Sequence, residues 1–279
     1  MNYKADYHMH SNYSDGKLTP TELAKKYKEE GYDIIALTDH DGVDGIREAQ
    51  IAGEALDLEV IPGIELSTLA SKELLEVSDI SKDYLEIHLL GYHIDIENEA
   101  LLEQIALLKK IRHDRNVKLI EILNNMNVDI TLEEIKKDSK REYVGKPNIA
   151  RLMVKKGYVE TPNDAFEEGK YMGSDEVKSL TRDSITIEKG IETIKVAGGI
   201  SVLAHPMKLK MGMSRGSEEF YIALDKVLKY LKKQGLKGLE CYHSSHAKEE
   251  ALRLVELAEK YHLHITEGSD FHGDDWRIM

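Results

Sequence analysis

Cysteine is nearly absent from this 279-residue chain: Cys241 stands alone. One thiol can form no intrachain bridge, which fits a reducing cytoplasm. Long apolar runs are missing too. Stretches such as Ile34-Ile35-Ala36-Leu37 are far too short to span a bilayer, and the polar, strand-like start has no signal-peptide core. A soluble cytoplasmic protein without a membrane partner is therefore expected. Positive charge is scarce: 38 Lys and Arg against 51 Asp and Glu give a net charge of -13. That argues against duplex DNA as a partner, which needs a basic face. A phosphorylated substrate stays open, because bound metal ions supply local positive charge. The chain has no Walker-type loop or dinucleotide fingerprint, which argues against nucleotide-driven or redox chemistry. It also lacks internal repeats, low-complexity tracts and coiled-coil heptads.

What the chain does have is an α/β rhythm. An ordinary apolar fraction of 41% at this length allows one large α/β domain or two smaller ones. Residues 4–9 read as a first strand. Thr19, Pro20 and Glu22 form an N-terminal capping signal for a helix over about 20–30, stopped by Gly31. A continuous apolar strand over 33–40 follows, then a helix over 44–56 and strands over 59–66 and 86–92. Strands buried on both faces and separated by helices predict a parallel sheet. Residues 68–84 read as a loop or short helix. From about 97 to 180 no strand pattern is found. Helices are expected at 98–125, 131–138, 147–156 and 162–169, carrying Arg112, Arg115, Lys118, Arg141, Lys146 and Arg151. The rhythm resumes with helices near 184–197, 218–234 and 247–261. Strands are expected at 199–206, 236–241 and 264–267.

The twelve histidines are not scattered evenly. His8 and His10 lie two apart on a strand, so they point to the same side. Asp15 follows in the loop. His40, Glu65, His88, His205, Asp270 and His272 lie at or near later strand ends. The C-terminal rim of a parallel barrel is where catalytic groups gather. Imidazole with carboxylate and no thiolate suits zinc, manganese or iron. Nine donors are too many for one ion, so two or three divalent ions are expected. Clustered ions lower the pKa of bridging water and clamp both oxygens of a phosphoryl transfer.

His8-Met9-His10, Thr38-Asp39-His40, Pro62-Gly63-Ile64-Glu65, His88-Leu89-Leu90-Gly91-Tyr92, Leu203-Ala204-His205-Pro206 and Ser269-Asp270-Phe271-His272-Gly273 occur in this order along the chain. Together they resemble the successive motifs of the PHP (polymerase and histidinol phosphatase) superfamily. With its helical insertion, the chain is most similar to the stand-alone metal-dependent phosphoesterases of that superfamily. Some of those act as nucleoside 3′,5′-bisphosphate phosphatases or as 5′→3′ exoribonucleases on short RNA. The resemblance implies an α/β fold, a distorted (β/α)7 barrel built from 1–96 and 181–279, with 97–180 as a helical insertion subdomain. It implies a trinuclear centre held by His8, His10, Asp15, His40, Glu65, His88, His205, Asp270 and His272. Asp15, His40, His205 and His272 would also be catalytic. The ions would be Mn, Fe or Zn, with Mg possible, and metal-bridged hydroxide would attack the phosphorus.

Substrate recognition is expected from the insertion. Arg112 and Arg115 lie one turn apart. Lys146 and Asn148 open the helix at 147, whose N-terminus favours an anion. Arg offers bidentate phosphate contacts and Lys a point charge. The plain alternative is a solvated basic helix face. His243 could reach the substrate or hold a supporting position. Asp6, Asp39 and Asp41 are expected to orient ligands or cap loops. His93 is not expected to bind metal, and Cys241 is expected to be a buried small residue. The segment between Glu65 and His88 is long and is expected to reshape one wall. The few residues after His272 are expected to leave the rim there more open. A phosphorylated small molecule or a short single-stranded oligonucleotide is the expected substrate. The alternatives are a histidinol-phosphate phosphatase and a non-catalytic metal-binding module.

Overall fold

Apolar runs and capped amphipathic stretches fold into a nearly closed barrel of seven strands wrapped by helices. The computed structural model of the chain describes residues 3–139, 143–180 and 183–273. Arg141 and residues 274–279 lie outside the described residues. Strand β1 (Ala5–Met9) pairs in parallel with β2 (Ile34–Leu37), and β2 with β3 (Glu59–Leu69). Helices α1 (Pro20–Glu29) and α2 (Ile46–Leu56) make the two crossovers. The expected capping box starts α1: Glu22 N donates to the Thr19 hydroxyl, and Thr19 N donates to the Glu22 carboxylate at 2.8 Å.

The fourth strand departs from the parallel pattern. After the short α3 (Lys72–Val77), β4 (Glu86–Tyr92) runs back antiparallel along β3, from Leu69 opposite Glu86 to Gly63 opposite Tyr92. The cause is length. The 11 residues of β3 rise about 36 Å at roughly 3.3 Å each and overshoot the rim. The 6 residues of α3 span only about 9 Å. They cannot return the chain to the barrel floor, so β4 starts at the top. His88 therefore reaches the rim from the first half of its strand, not from the C-terminal end that a parallel strand would give.

Next come α4 (Glu99–Asn125), α5 (Leu132–Ser139), α6 (Lys146–Lys155) and α7 (Asp175–Lys178), with 3-10 turns at Pro162–Phe166 and Tyr171–Gly173. The helix expected at 162–169 is thus a short 3-10 turn. No strand occurs among the described residues of this stretch. A two-residue strand absent from the sequence reading, β5 (Ile185–Thr186), pairs with Thr68 and Leu69 on the overshoot of β3. Then follow α8 (Ile187–Val196), β6 (Ile200–Leu203), α9 (Glu218–Gln234), β7 (Gly238–His243), α10 (Lys248–Lys260) and β8 (His264–Gly268). The strand order is β1-β2-β3-β4-β6-β7-β8. Backbone bonds bring β1 against the chain leaving β8, with His10 N to Phe271 O at 2.9 Å and Asp270 N to His8 O at 2.8 Å.

The barrel lumen is filled by Ala36, Ile61, Leu90, Tyr92, Val202 and Ala204. Residues of opposite alternation, such as Ile35, Leu37, Ile64 and Leu203, pack under the helices in a larger apolar shell. The insertion has a core of its own, with Leu119, Leu123, Ile135, Ile149 and Met153. Helix α4 serves both, since Leu101, Ile105 and Leu108 belong to the barrel shell. Its first half is therefore packed with the barrel. Among the described residues, no helix is long and apolar enough to cross a membrane.

Candidate metal centre

Glu65 is the hub of the rim. It is 1% exposed, and both carboxylate oxygens face imidazoles. Oε2 lies 3.4 Å from His8 Nε2, 3.3 Å from His10 Nε2 and 3.0 Å from His40 Nδ1. Oε1 lies 2.9 Å from both His88 Nδ1 and His205 Nε2. Asp270 Oδ1 adds a second carboxylate, 3.5 Å from His8 Nε2 and 3.2 Å from His10 Nε2. Asp15 closes the far side, 3.2 Å from His272 Nε2, 3.7 Å from His40 Nε2 and 3.8 Å from His10 Nδ1. All nine residues singled out by the sequence thus meet in one linked cluster.

The spacing fits metal ions. Around His8, His10, Glu65 and Asp270 the imidazole–carboxylate separations run from 3.2 to 3.5 Å. A tetrahedron with metal–ligand bonds of about 2.0–2.1 Å has edges of about 3.3–3.4 Å. Hydrogen bonding leaves the same atoms unsatisfied. His8 Nε2, His10 Nε2, Glu65 Oε2, Asp15 Oδ1 and His40 Nδ1 are buried without a hydrogen-bond partner. Each such group costs about 1–3 kcal/mol when left unmade. A divalent cation facing them removes that cost for several at once.

The electrostatics agree. Burial opposes ionisation of Glu65, but His40, His8 and His88 outweigh it and hold the carboxyl well below its ordinary range. Asp15 is likewise held low against its burial by His40 and His272. Burial should lower His10, yet the nearby carboxylates of Asp270 and Glu65 push it up to about 10. Burial also opposes His88, and Glu65 raises it to about 10. His205 touches the same Glu65 oxygen but is brought down to about 4, because burial dominates there. The carboxylates make this a field that attracts cations, with protons taking that place on some imidazoles.

Local structure aims the donors. Asp39 accepts from Ser11 N at 2.7 Å, Ser11 Oγ at 2.6 Å and Ser14 Oγ at 2.5 Å, and so folds the loop that returns Asp15. Asp6 accepts from the backbone of His8 at 3.1 Å and of Ser269 at 2.9 Å, tying both ends of the seam. Asp41, His205 and Asp270 all hold left-handed backbone, with φ of 48°, 26° and 54°. Such strain concentrates at functional sites.

Glu240 on β7 escaped the sequence reading. It is fully buried; Oε1 accepts from His8 Nδ1 at 2.8 Å, and Oε2 accepts from His205 N at 2.6 Å. Occupying Nδ1 leaves the Nε2 lone pair of His8 facing the rim, the usual carboxylate–histidine–metal arrangement. The one available signal was a carboxylate between the apolar Leu239 and Cys241 in a strand. Lys208 was also missed; its Nζ donates to Asp270 Oδ2 at 2.6 Å.

The candidate substrate residues divide. Arg112 is already engaged: it pairs with Asp41 and donates to the Tyr143 hydroxyl at 2.7 Å. The Tyr143 ring lies nearly parallel to His40, with centroids 6.3 Å apart. Half-buried Arg115 lines a small cavity with Arg112, His40 and His88. Lys146 is the half-buried first residue of α6. Asn148 is buried, and its Oδ1 accepts from Gly145 N at 2.9 Å, closing the helix start. His243 is buried under the rim. Its Nδ1 accepts from Ser245 N at 2.9 Å, so Nε2 carries the proton toward Asp270 Oδ2, 3.3 Å away. His93 is exposed beyond β4, and burial pushes the buried Cys241 thiol up to about 12.

Two crevices meet at His40. One, of about 650 Å³, lies toward the insertion and includes Tyr13, Lys109, Arg112 and Tyr143. The other, of about 680 Å³, has Asp15, Glu65, His88, His205, Asp270 and His272 on its floor. Its walls come from residues 81–86, within the long segment after Glu65, and from residues 208–210.

Comparison with known proteins places this arrangement. The chain is 30% identical over 272 residues to a 5′-3′ exoribonuclease of Haemophilus influenzae, covering 98% of this chain and 91% of that protein. It is 25% identical to a 3′,5′-nucleoside bisphosphate phosphatase of Chromobacterium violaceum, over 96% of this chain and 86% of the relative. A solved structure from Bifidobacterium adolescentis, provisionally assigned as a metal-dependent phosphoesterase, superposes with a TM-score of 0.76 at 28% identity, covering 98% and 89% of the two chains. The PHP domain model matches residues 6–241, which include seven of the nine clustered donors as well as Glu240. The chain belongs to the PHP domain family.

Proposed function

We propose that this chain is a metal-dependent phosphoesterase acting on nucleotides or short single-stranded oligonucleotides, as a nucleoside 3′,5′-bisphosphate phosphatase or 5′→3′ exoribonuclease. The observation that carries the reading is the set of buried, unsatisfied donor atoms converging on the floor of an open crevice. The likeness to an exoribonuclease and a bisphosphate phosphatase over nearly the whole chain supports the substrate class. Two or three divalent ions, Mn, Fe or Zn with Mg possible, would be held by His8, His10, Asp15, His40, Glu65, His88, His205, Asp270 and His272. When bound, they supply Lewis acidity toward the phosphoryl oxygens and water of lowered pKa.

The chain's own residues do the rest. Glu240 and Asp39 fix the directions of His8, His205 and Asp15 before substrate arrives. Asp15, His40, His205 and His272 line the crevice where the phosphorus sits. In the reaction, a water oxygen bonds to phosphorus, the ester P–O bond breaks, and the water proton leaves with the alcohol. Arg115 and Lys146 offer charge to a second phosphate from the insertion side. Arg112 contributes mainly through Asp41 and Tyr143. Cys241, buried and single, fits work in a reducing cytoplasm.

A substrate panel tests the reading. Adenosine 3′,5′-bisphosphate, short 5′-phosphorylated RNA and histidinol phosphate are compared by kcat/KM with the metal-loaded protein. One of the first two should lead by at least tenfold. A preference for histidinol phosphate would replace the reading with the small phosphomonoesterase alternative.

A further inference from the structure

The insertion was expected to supply the free cations of the site, but its charges are largely engaged. Lys109 donates to Asp44 at 2.7 Å, Lys110 to Asp114 at 2.6 Å and Lys156 to Glu134 at 2.7 Å, while Arg112 pairs with Asp41. The opposite wall is different. Lys82 and Lys210 line the crevice over the donor floor, both exposed, and neither ammonium group has a hydrogen-bond or ion-pair partner among the described residues. The two loops that carry these lysines meet, since the Lys82 side chain passes beside Gly212. Tyr84 lines the same wall with 46% of its surface exposed. Glu86 in this wall is turned toward His88 Nε2, 3.9 Å away. In a chain of net charge -13, two unengaged ammonium groups and an exposed ring beside a carboxylate-rich floor need a reason.

A single strand supplies one. Such strands are held by lysines along the backbone and by aromatic rings under the bases. The two crevices meet at His40, so a phosphate over the donor cluster has room for a nucleoside on either side. We propose that the wall formed by residues 81–85 and 208–210 is the subsite for the nucleotide beyond the scissile phosphate. Lys82 and Lys210 hold its phosphodiester, and Tyr84 stacks its base. The inference rests on the phosphoesterase reading above and deepens it: the wall selects oligonucleotides over mononucleotides.

The test compares wild type, Tyr84→Ala and the double variant Lys82→Ala/Lys210→Ala. Each is assayed on adenosine 3′,5′-bisphosphate and on 5′-phosphorylated RNA three or four nucleotides long. Each variant should lose roughly tenfold in kcat/KM on RNA, mainly through KM, and stay within twofold on the bisphosphate. The double variant should also lose about 0.7 from the log–log salt slope on RNA, the value for one phosphate contact. Equal losses on both substrates, or no loss on RNA, overturn the subsite. If wild type turns over neither substrate, the parent reading fails, and the subsite fails with it. Thermal melting of each variant checks that folding is intact.

Discussion

Glu240 holds two candidate ligands at once, the ring of His8 and the backbone of His205. Removing its charge while keeping its shape separates positioning from folding. Glu240→Gln should bind divalent metal about 10–100-fold more weakly, with its melting temperature in the metal-free state little changed. Calorimetric metal titration measures this, and unaltered affinity would show that Glu240 does not orient His8. The protons on the imidazoles give a second residue-scale prediction. His10 and His88 are raised to about 10 in the metal-free protein, so both are protonated at pH 8. Metal binding requires neutral imidazole, so loading at pH 8 should release protons, and affinity should rise with pH. In the metal-free protein these groups stabilise the fold fully below their unfolded value of 6.5, and that stabilisation is lost as pH rises through about 10. Proton release measured in two buffers of different ionisation enthalpy checks the sign. Why the nine donors were legible and Glu240 was not is also a residue matter. The donors sit in short recognisable groups at strand ends. Glu240 meets His8 only through the barrel closure, 232 positions away in sequence.

Among the elements, the seam between β1 and β8 is closely packed. A Cβ on Gly268 would stand 2.3 Å from the His8 Cβ and 2.6 Å from Glu240 Oε1. Neither atom can retreat without breaking the His8–Glu240 bond. Gly268→Ala should therefore cost about 1–3 kcal/mol of stability, as overpacking does, and weaken metal binding as well. Urea unfolding of both forms measures the first effect; an unperturbed midpoint would contradict the close approach. Local signals found the elements themselves well. The Thr19 and Glu22 box set the start of α1, and β4 runs over the expected residues. They could not give the direction of β4, because orientation depends on where β3 leaves the barrel, not on the pattern within either strand. The short β5 was missed for a similar reason: two residues carry no period, and only pairing with the overshoot of β3 makes them a strand.

Over the whole molecule, a largely buried charge pair ties the insertion to the barrel. Arg112 on α4 pairs with Asp41, which is 2% exposed and also accepts from Ser67 N at 2.7 Å. Arg112→Ala would leave that carboxylate buried and unpaired, and should destabilise the protein by about 3 kcal/mol, read by chemical denaturation. Arg112→Lys should recover only part of this, because an ammonium cannot also serve Tyr143 through a planar fork. The central claim concerns the donor cluster as a unit: it binds divalent ions, and those ions drive phosphate ester hydrolysis. Its most direct test is turnover of adenosine 3′,5′-bisphosphate by chelator-stripped protein, followed by stepwise return of Mn, Fe, Zn or Mg with metal content measured at each step. The account predicts negligible turnover when stripped and recovery that saturates at two or three ions per chain. Full turnover by the stripped protein, or none at any loading, would contradict it.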